Sequence, residues 1–360
     1  MNRQLKVGII GCGAIAFGKH LPNLSKQEAV AITAFADIVT EKAQQAAEKF
    51  GTTDAKVYSD YRELLADSSI DVVHVCTAND AHAEISIAAL EAGKHVMCEK
   101  PMAKTATDAR RMVEAAKRTG KKLTIGFNNR FRPDSQFLKQ VCDNGDLGDI
   151  YFAKAHALRR RGVPTWGVFL DKDKQGGGPL IDIGTHALDL TLWLMNNYEP
   201  KAVLGTTYQK LANRKGSANA GGAWDPGKFT VEDSAFGMIV MKNGATLMLE
   251  SSWALNMLDT REALYTLCGT EGGADVKETL RINGEKYGRL YANSIQFDVK
   301  GADFFDGRKE SMHERECRMW IEAILNDTEP VVLPEQACVV SEIIEAIYES
   351  NRTGEAIYFD

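Results

Sequence analysis

Lys6-Val7-Gly8-Ile9-Ile10-Gly11-Cys12-Gly13-Ala14-Ile15-Ala16 is the stretch that decides the fold. An apolar, β-branched run, Lys6–Ile10, ends in a G-x-G-x-x-A turn and gives way to a helical pattern. Gly11 allows the tight turn. Gly13 leaves the backbone at Ala14 and Ile15 open to a pyrophosphate, and small Ala16 lets the following helix pack on the sheet. The free N–H groups and positive dipole of the helix start then suit the phosphates. Glycine turns between strands and helices are common, so context carries the reading. Here the turn ends the first strand, and a second strand, Ala29–Ala36, runs into Asp37. That residue lies 21 positions past Ala16, about the spacing of a carboxylate that holds a ribose 2′-hydroxyl. A carboxylate there repels a 2′-phosphate, which favours NAD over NADP.

The alternation continues to residue 127. The runs Asp71–Cys76, His95–Cys98 and Lys122–Phe127 are separated by helical stretches. Ala83–Ala92 places Ile85, Ala88, Ala89 and Ala92 on one face and stops at Gly93, which suits a left-handed position after a helix. Thr105-Ala106-Thr107-Asp108 has the form of a capping box opening a helix that ends before Gly120. Strand–helix alternation of this kind predicts an α/β fold: a doubly wound parallel sheet over 1–127, with helices on both faces.

Beyond 128 the rhythm changes. Ala235–Met241 and Ala245–Trp253 flank Lys242-Asn243-Gly244, a hairpin-turn signal, and further strands are expected at Ala263–Cys268 and Gly288–Phe297. Residues 128–360 therefore read as an α+β domain with a large, mostly antiparallel open sheet. The Gly-rich, polar segment 213–228 reads as a loop.

The chain length of 360 residues allows two domains. Apolar residues at 44% and charged residues at 26% exclude a disordered or fibrous chain. Lys and Arg number 43 against 49 Asp and Glu, a net −6 that argues against nucleic-acid binding. Seven cysteines without a C-x-x-C pair signal neither a disulfide framework nor a cysteine-rich zinc site. The first residues lack a signal-peptide pattern, and no apolar run approaches the roughly 18 residues of a membrane helix. A cytoplasmic protein without a membrane partner is expected.

Two further constellations carry chemistry. Glu99-Lys100-Pro101 follows the strand His95–Cys98, at the edge where a parallel sheet meets its ligand. A lysine there, partly desolvated, can act on a substrate hydroxyl. The second is Gly176-Gly177-Gly178, which runs into an otherwise apolar helix carrying Asp182, His186 and Asp189 at i, i+4 and i+7. Unpaired buried polar groups are costly, so that stripe lines either a cleft with a general base or a solvated face. No third ligand at metal spacing accompanies it, and no metal is expected. His20, His74, His82, His95, His156 and His313 read mostly as core or surface residues. Arg159-Arg160-Arg161 reads as a solvated strand face, with recognition of an anionic substrate as the sharper alternative.

Together these residues resemble the Gfo/Idh/MocA oxidoreductase family over essentially the whole chain. The likeness rests on Gly11/Gly13/Ala16 with Asp37, Cys76-Thr77-Ala78-Asn79 with His82, and Gly93-Lys94-His95-Val96-Met97-Cys98-Glu99-Lys100-Pro101. It continues through Gly126-Phe127-Asn128-Asn129-Arg130-Phe131 and the Gly-Gly-Gly…Asp182…His186 helix. The family's Thr-Pro-Asn is Thr77-Ala78-Asn79 here, which loosens that loop but keeps both residues expected at ligand.

The resemblance implies a Rossmann domain followed by an α+β domain whose sheet forms a homodimer or homotetramer interface. It also implies NAD-linked hydride transfer at a secondary hydroxyl of a sugar, sugar derivative or cyclitol. Lys100, Asp182 and His186 match its catalytic positions. Gly11, Gly13, Ala14, Ile15, Asp37, Thr77, Asn79, His82, Glu99, Lys100 and Asn128 fall at its cofactor positions. In that scheme His186 takes the hydroxyl proton and Lys100 stabilises the developing alkoxide, although either can be the base. Asp182 orients His186 or binds a neighbouring hydroxyl. Arg161, Thr165 and Trp166 are expected to line the substrate pocket with Lys100, Asp182 and His186, the Trp face suiting a pyranose. Alternatives are an NAD-bound sugar sensor without turnover, a ketosugar reductase, and a glycosidase that oxidises its substrate transiently.

Overall fold

The computed structural model describes residues 4–297 and 310–360. They form two compact units. The first comprises the chain up to Asn128 together with Glu310–Cys338, and the second the chain from Asn129 together with Val339–Asp360.

In the first unit, β1 (Leu5–Ile10), β2 (Val30–Ala36), β3 (Lys56–Tyr58), β4 (Val72–Val75), β5 (His95–Cys98) and β6 (Leu123–Ile125) form one sheet in the order β3-β2-β1-β4-β5-β6. Every pairing is parallel. Strands buried on both faces read as continuous apolar runs, and all four residues of β4 are buried. Two helices follow the sequence signals closely. His82–Glu91 ends before Gly93, which has φ +77°. Ala106–Thr119 is capped by Thr105, whose hydroxyl accepts the Asp108 N–H at 3.1 Å, and it ends at left-handed Gly120.

The stretch 310–338 belongs with this unit, so a single cut at 127/128 does not describe the arrangement. The helix Met312–Leu325 buries Cys317, Trp320 and Ile321 among Val7, Ile9, Leu21 and Val30. Its amphipathic pattern predicts a buried face, but the pattern does not say which sheet covers it.

The second unit holds β7 (Ile150–Leu158), β8 (Pro200–Tyr208), β9 (Ser234–Met241), β10 (Thr246–Ser252), β11 (Glu262–Gly269), β12 (Gly272–Val276), β13 (Leu280–Lys286), β14 (Arg289–Ser294) and β15 (Ile357–Tyr358). Their order is β14-β13-β12-β11-β7-β10-β9-β8-β15. Only β7 and β10 pair in parallel; the other pairings are antiparallel. The Asn243-Gly244 turn joins β9 to β10, with Gly244 at φ +91°. The helix Thr185–Met195 lies on β7 and β11.

Candidate functional site

Five strand ends of the first unit bring the expected cofactor residues to one edge of its sheet. Gly11 and Gly13 follow β1, Asp37 follows β2, Thr77 and Asn79 follow β4, Glu99 and Lys100 follow β5, and Asn128 follows β6. A parallel sheet receives its ligand at this carboxyl edge.

At the first turn Gly11 has φ +88°, and a Cβ there would lie 2.7 Å from the Cys76 carbonyl. Both facts require glycine. Gly13 differs: a Cβ on it would meet nothing within 4 Å. The protein itself gives no packing reason for that glycine, and the backbone beside it lies open, with Ala14 exposed and Ile15 partly so. Helical bonding begins immediately, with Phe17 N–H donating to Gly13 O at 3.1 Å.

Asp37 is held in place by two backbone amides. Its Oδ2 accepts the Cys12 N–H at 2.7 Å and its Oδ1 accepts the Val39 N–H at 2.8 Å. The carboxylate therefore ties the second strand end to the glycine turn. Ile38 beside it is 93% exposed. An open glycine turn, a helix start and a fixed carboxylate together fit a dinucleotide's phosphates and ribose.

His82 is buried, and both ring nitrogens face carbonyl oxygens: Nδ1 with Pro101 O at 2.8 Å and Nε2 with Thr77 O at 3.1 Å. Only the doubly protonated ring donates to both. Burial works against that charge, but the Cys98 sulfur and the two carbonyls outweigh it and lift the pKa to about 9. His82 thus joins the Thr77 loop to the Lys100-Pro101 loop, and its link to a cofactor runs through those loops. Asn128 is buried, with its amide 3.4 Å from His313 Nδ1.

Glu99 accepts the Lys100 backbone N–H at 3.1 Å and pairs with His20 Nε2 at 2.8 Å. Burial alone would raise this carboxyl. The bond and charge of His20, with Lys100 and Lys19, overcome that and hold it at about 2.

In the second unit the glycine run enters a helical stretch whose first turn, Leu180–Gly184, is π-wound. From Leu180 to Leu194 every residue is buried except His186, which is partly exposed. Asp182 Oδ2 accepts the indole N–H of fully buried Trp253 at 3.0 Å. Asp189 is committed elsewhere, because Arg130 grips it with Nε at 3.0 Å and Nη2 at 2.6 Å. The stripe is therefore neither a solvated face nor one working set. The ion pair takes Asp189, and the Asp182–His186 pair remains.

Glu232, which carries no sequence signal, anchors the start of this helix. It is buried and accepts Gly178 N–H at 2.9 Å, Leu180 N–H at 3.2 Å and the Tyr348 hydroxyl at 2.9 Å. A Cβ on Gly178 would come within 2.1 Å of Glu232 O, which is why position 178 is glycine.

The arginine triplet follows β7 and is not a solvated strand face. Arg159 pairs with Glu262, while Arg161 donates to Arg160 O and Asn256 Oδ1, both at 2.6 Å. Glu262 offsets the Arg159 charge, neutral oxygens hold Arg161, and Arg160 is exposed. Thr165 bonds to Gly221 O. Trp166 is 61% exposed and stands edge-on to Phe169, which in turn meets Trp253.

Comparison with known proteins places the chain in a family. Residues 5–127 match the oxidoreductase family with an NAD-binding Rossmann fold, and residues 135–275 match the GFO/IDH/MocA C-terminal domain. The chain is 38% identical over 360 residues to D-glucoside 3-dehydrogenase of Escherichia coli, covering 99% of this chain and 98% of that protein. It is 36% identical over 194 residues to an inositol 2-dehydrogenase of Salmonella typhimurium, covering 53% of this chain and 55% of that protein. Among solved structures, the aldose-aldose oxidoreductase of Caulobacter crescentus, complexed with glycerol, superposes with a TM-score of 0.79 at 25% identity, covering 99% of this chain and all of that one. The two matched regions and the full-length relative leave one conclusion: the chain belongs to the GFO/IDH/MocA family of oxidoreductases.

Proposed function

We propose that this protein is an NAD-dependent dehydrogenase that oxidises a secondary hydroxyl of a sugar, with carbon 3 of a D-glucoside as the first candidate. The observation that carries the reading is His186, the one partly exposed residue in the buried stretch Leu180–Leu194, one helical turn from an aspartate fixed by Trp253. A buried helix keeps such a pair where it serves a ligand. The substrate class follows the D-glucoside 3-dehydrogenase matched along the full chain.

Bound at the edge of the parallel sheet, NAD⁺ supplies the hydride acceptor. Gly11, Gly13, Ala14 and Ile15 receive the phosphates, and Asp37 accepts the ribose hydroxyls. Thr77, Asn79, Glu99 and Asn128 lie at the strand ends expected to meet the nicotinamide half. His186 accepts the hydroxyl proton. Lys100 stabilises the alkoxide with its charge, and the two can exchange these roles. Asp182 orients His186 or holds a neighbouring hydroxyl. Trp166 offers an exposed ring for the C–H face of a pyranose; Arg161 and Thr165 shape the segment that carries it.

The exposed pair Leu204 and Met238, matched in register on β8 and β9, supports a homodimer or homotetramer through this sheet. All seven cysteines are free thiols, which supports a cytoplasmic setting. Among the described residues no helix is long and apolar enough to cross a membrane.

The test is NAD⁺ reduction against D-glucosides, free aldoses and inositols, with identification of the oxidised carbon. Turnover of glucosides to 3-keto products is expected. Tight NAD⁺ binding without turnover of any polyol would favour the sensor instead.

A further inference from the structure

Outside the residues assigned above, three histidines and a second glutamate gather around Glu99 in the first unit. His20 Nε2 stands 2.8 Å from Glu99 Oε1, and His20 Nδ1 stands 2.9 Å from His74 Nδ1. The two rings cross at 88°. His74 is fully buried and His20 is 7% exposed. His313 and Glu316, from the helix Met312–Leu325, line the same small cavity of about 10 Å³.

Proton counting constrains this chain of groups. Two ring nitrogens at 2.9 Å hold a proton between them, because facing lone pairs repel. Glu99 is ionised, so the proton between it and His20 belongs to His20 Nε2. A neutral His20 then accepts from His74 Nδ1–H, and a protonated His20 donates to His74. In either state both nitrogens of His20 are engaged, and its ring has one orientation. On the far side, Glu99 packs under Gly126, where an added Cβ would lie 3.3 Å from Oε2.

We propose that His20 and His74 are positioning residues: the imidazole pair aims the Glu99 carboxylate beside Lys100 and so shapes the nicotinamide end of the cofactor site. An ionic side chain held by a partner whose tautomer is set by a third group keeps its geometry through turnover. The proposal rests on the assignment of Glu99 to the cofactor site.

The charges facing this pair come from each element around it. Lys19 is adjacent in the chain, Lys100 follows β5, and His313 and Glu316 lie on the packed helix. Burial, with Glu99 nearby, lifts Glu316 to about 8, so it is neutral at pH 7. Burial, with Lys19, lowers His313 to about 4. Glu99 is thus the anion of the cluster.

NAD⁺ titrations of the full chain across the pH range test this, using wild type, His20→Gln, His74→Phe and His74→Asn. Asparagine keeps a hydrogen-bonding atom near Nδ1 without titrating. Loss of the imidazole that bonds Glu99 in His20→Gln, and of the partner that fixes that imidazole in His74→Phe, predicts a Kd raised about tenfold in each. His74→Asn should stay within about twofold of wild type. In His20→Gln, binding should also weaken on mild acidification, because burial then raises the Glu99 pKa against Lys100 and Lys19 alone. Histidine ¹⁵N spectra of the wild type, independent of how any variant folds, should show His20 protonated at Nε2.

Variants that bind NAD⁺ as wild type does, with the same pH profile, would overturn the positioning role and leave the cofactor site standing. A wild type that fails to bind NAD⁺ overturns the cofactor site. In that case a His20 protonated only at Nδ1 also overturns the pair.

Discussion

Arg130 and Asp189 form a two-pronged ion pair from which water is excluded, their side chains 0% and 1% exposed. Tyr198 adds its hydroxyl 3.3 Å from Arg130 Nη2, and the guanidinium lies 5.5 Å from the centre of the Trp193 ring. Removing one partner strands a buried charge, which typically costs about 3–5 kcal/mol. Asp189→Asn and Arg130→Met should each lose stability on that scale in urea unfolding. The double change Arg130→Met with Asp189→Leu should lose less than either single change, since no charge is left unpaired. A wild-type midpoint in Asp189→Asn would remove the pair from the structural account.

Asp37 both orders the glycine turn and meets the expected ribose, so its loss should act on cofactor choice and affinity together. A bond to a charged acceptor is worth about 1.5–3 kcal/mol. Asp37→Ser should therefore raise the Kd for NAD⁺ roughly tenfold to a hundredfold. Adding Ile38→Arg, at a side chain 93% exposed, supplies a cation for a 2′-phosphate and should turn preference toward NADP⁺. Comparable NADP⁺ affinity in the unmodified protein would contradict the role given to Asp37.

Glu316 predicts how stability depends on pH. Burial, then Glu99, raises its folded pKa from 4.5 to about 8. Between those values the folded state holds a proton that the unfolded chain has released. Stability from this group is therefore complete below about 4.5 and is lost as pH rises toward 8. His82, raised from 6.5 to about 9, acts in the same direction over its own window. Glu316→Gln keeps the neutral shape and removes its share of the slope. Thermal melts should find that variant stabilised relative to wild type at pH 8 by on the order of 4 kcal/mol, and equal to it near pH 4. Parallel curves at all pH values would refute the assignment.

The legible parts of the molecule are those in which one residue type answers one local demand. Gly11 shows in the sequence because positive φ and the Cys76 backbone both exclude a side chain. Thr105, Gly120 and the Asn243-Gly244 turn show for similar local reasons. Short β3 escapes, since Lys56-Val57-Tyr58 has too few residues to display a period. β7 and β8 escape too: Ala153, Ala155 and Ala157 are too small to mark a buried strand face, and Lys201, Leu204 and Thr206 of β8 mix polar and apolar residues on its exposed positions. In the site, Asp182 and His186 are visible as polar residues in an apolar helix. Their supports are not. Trp253, Glu232 and Arg130 reach this helix across tens of residues, and no periodicity encodes which distant donor finds which carboxylate. His20 and His74 look like core histidines singly, and only the fold reveals them as a pair.

Trp253 offers the means to decide what Asp182 does. Its indole N–H is the donor to Asp182 Oδ2 at 3.0 Å, and its ring is fully buried against Phe169 and Phe229. Trp253→Phe retains an aromatic ring in that packing and removes this one donor to Asp182. If Asp182 orients His186 for proton transfer, the interaction matters most in the transition state. kcat should then fall about tenfold to a hundredfold with KM for the sugar little changed. If Asp182 binds a neighbouring hydroxyl, ground state and transition state lose equally, and KM should rise while kcat holds. His186→Gln sets the scale, since removing a general base costs about 10²–10⁴ in rate. NAD⁺ affinity should be unchanged in both variants. A Trp253→Phe enzyme with wild-type kcat and KM would show that the Trp253 bond does not aim Asp182 for the reaction.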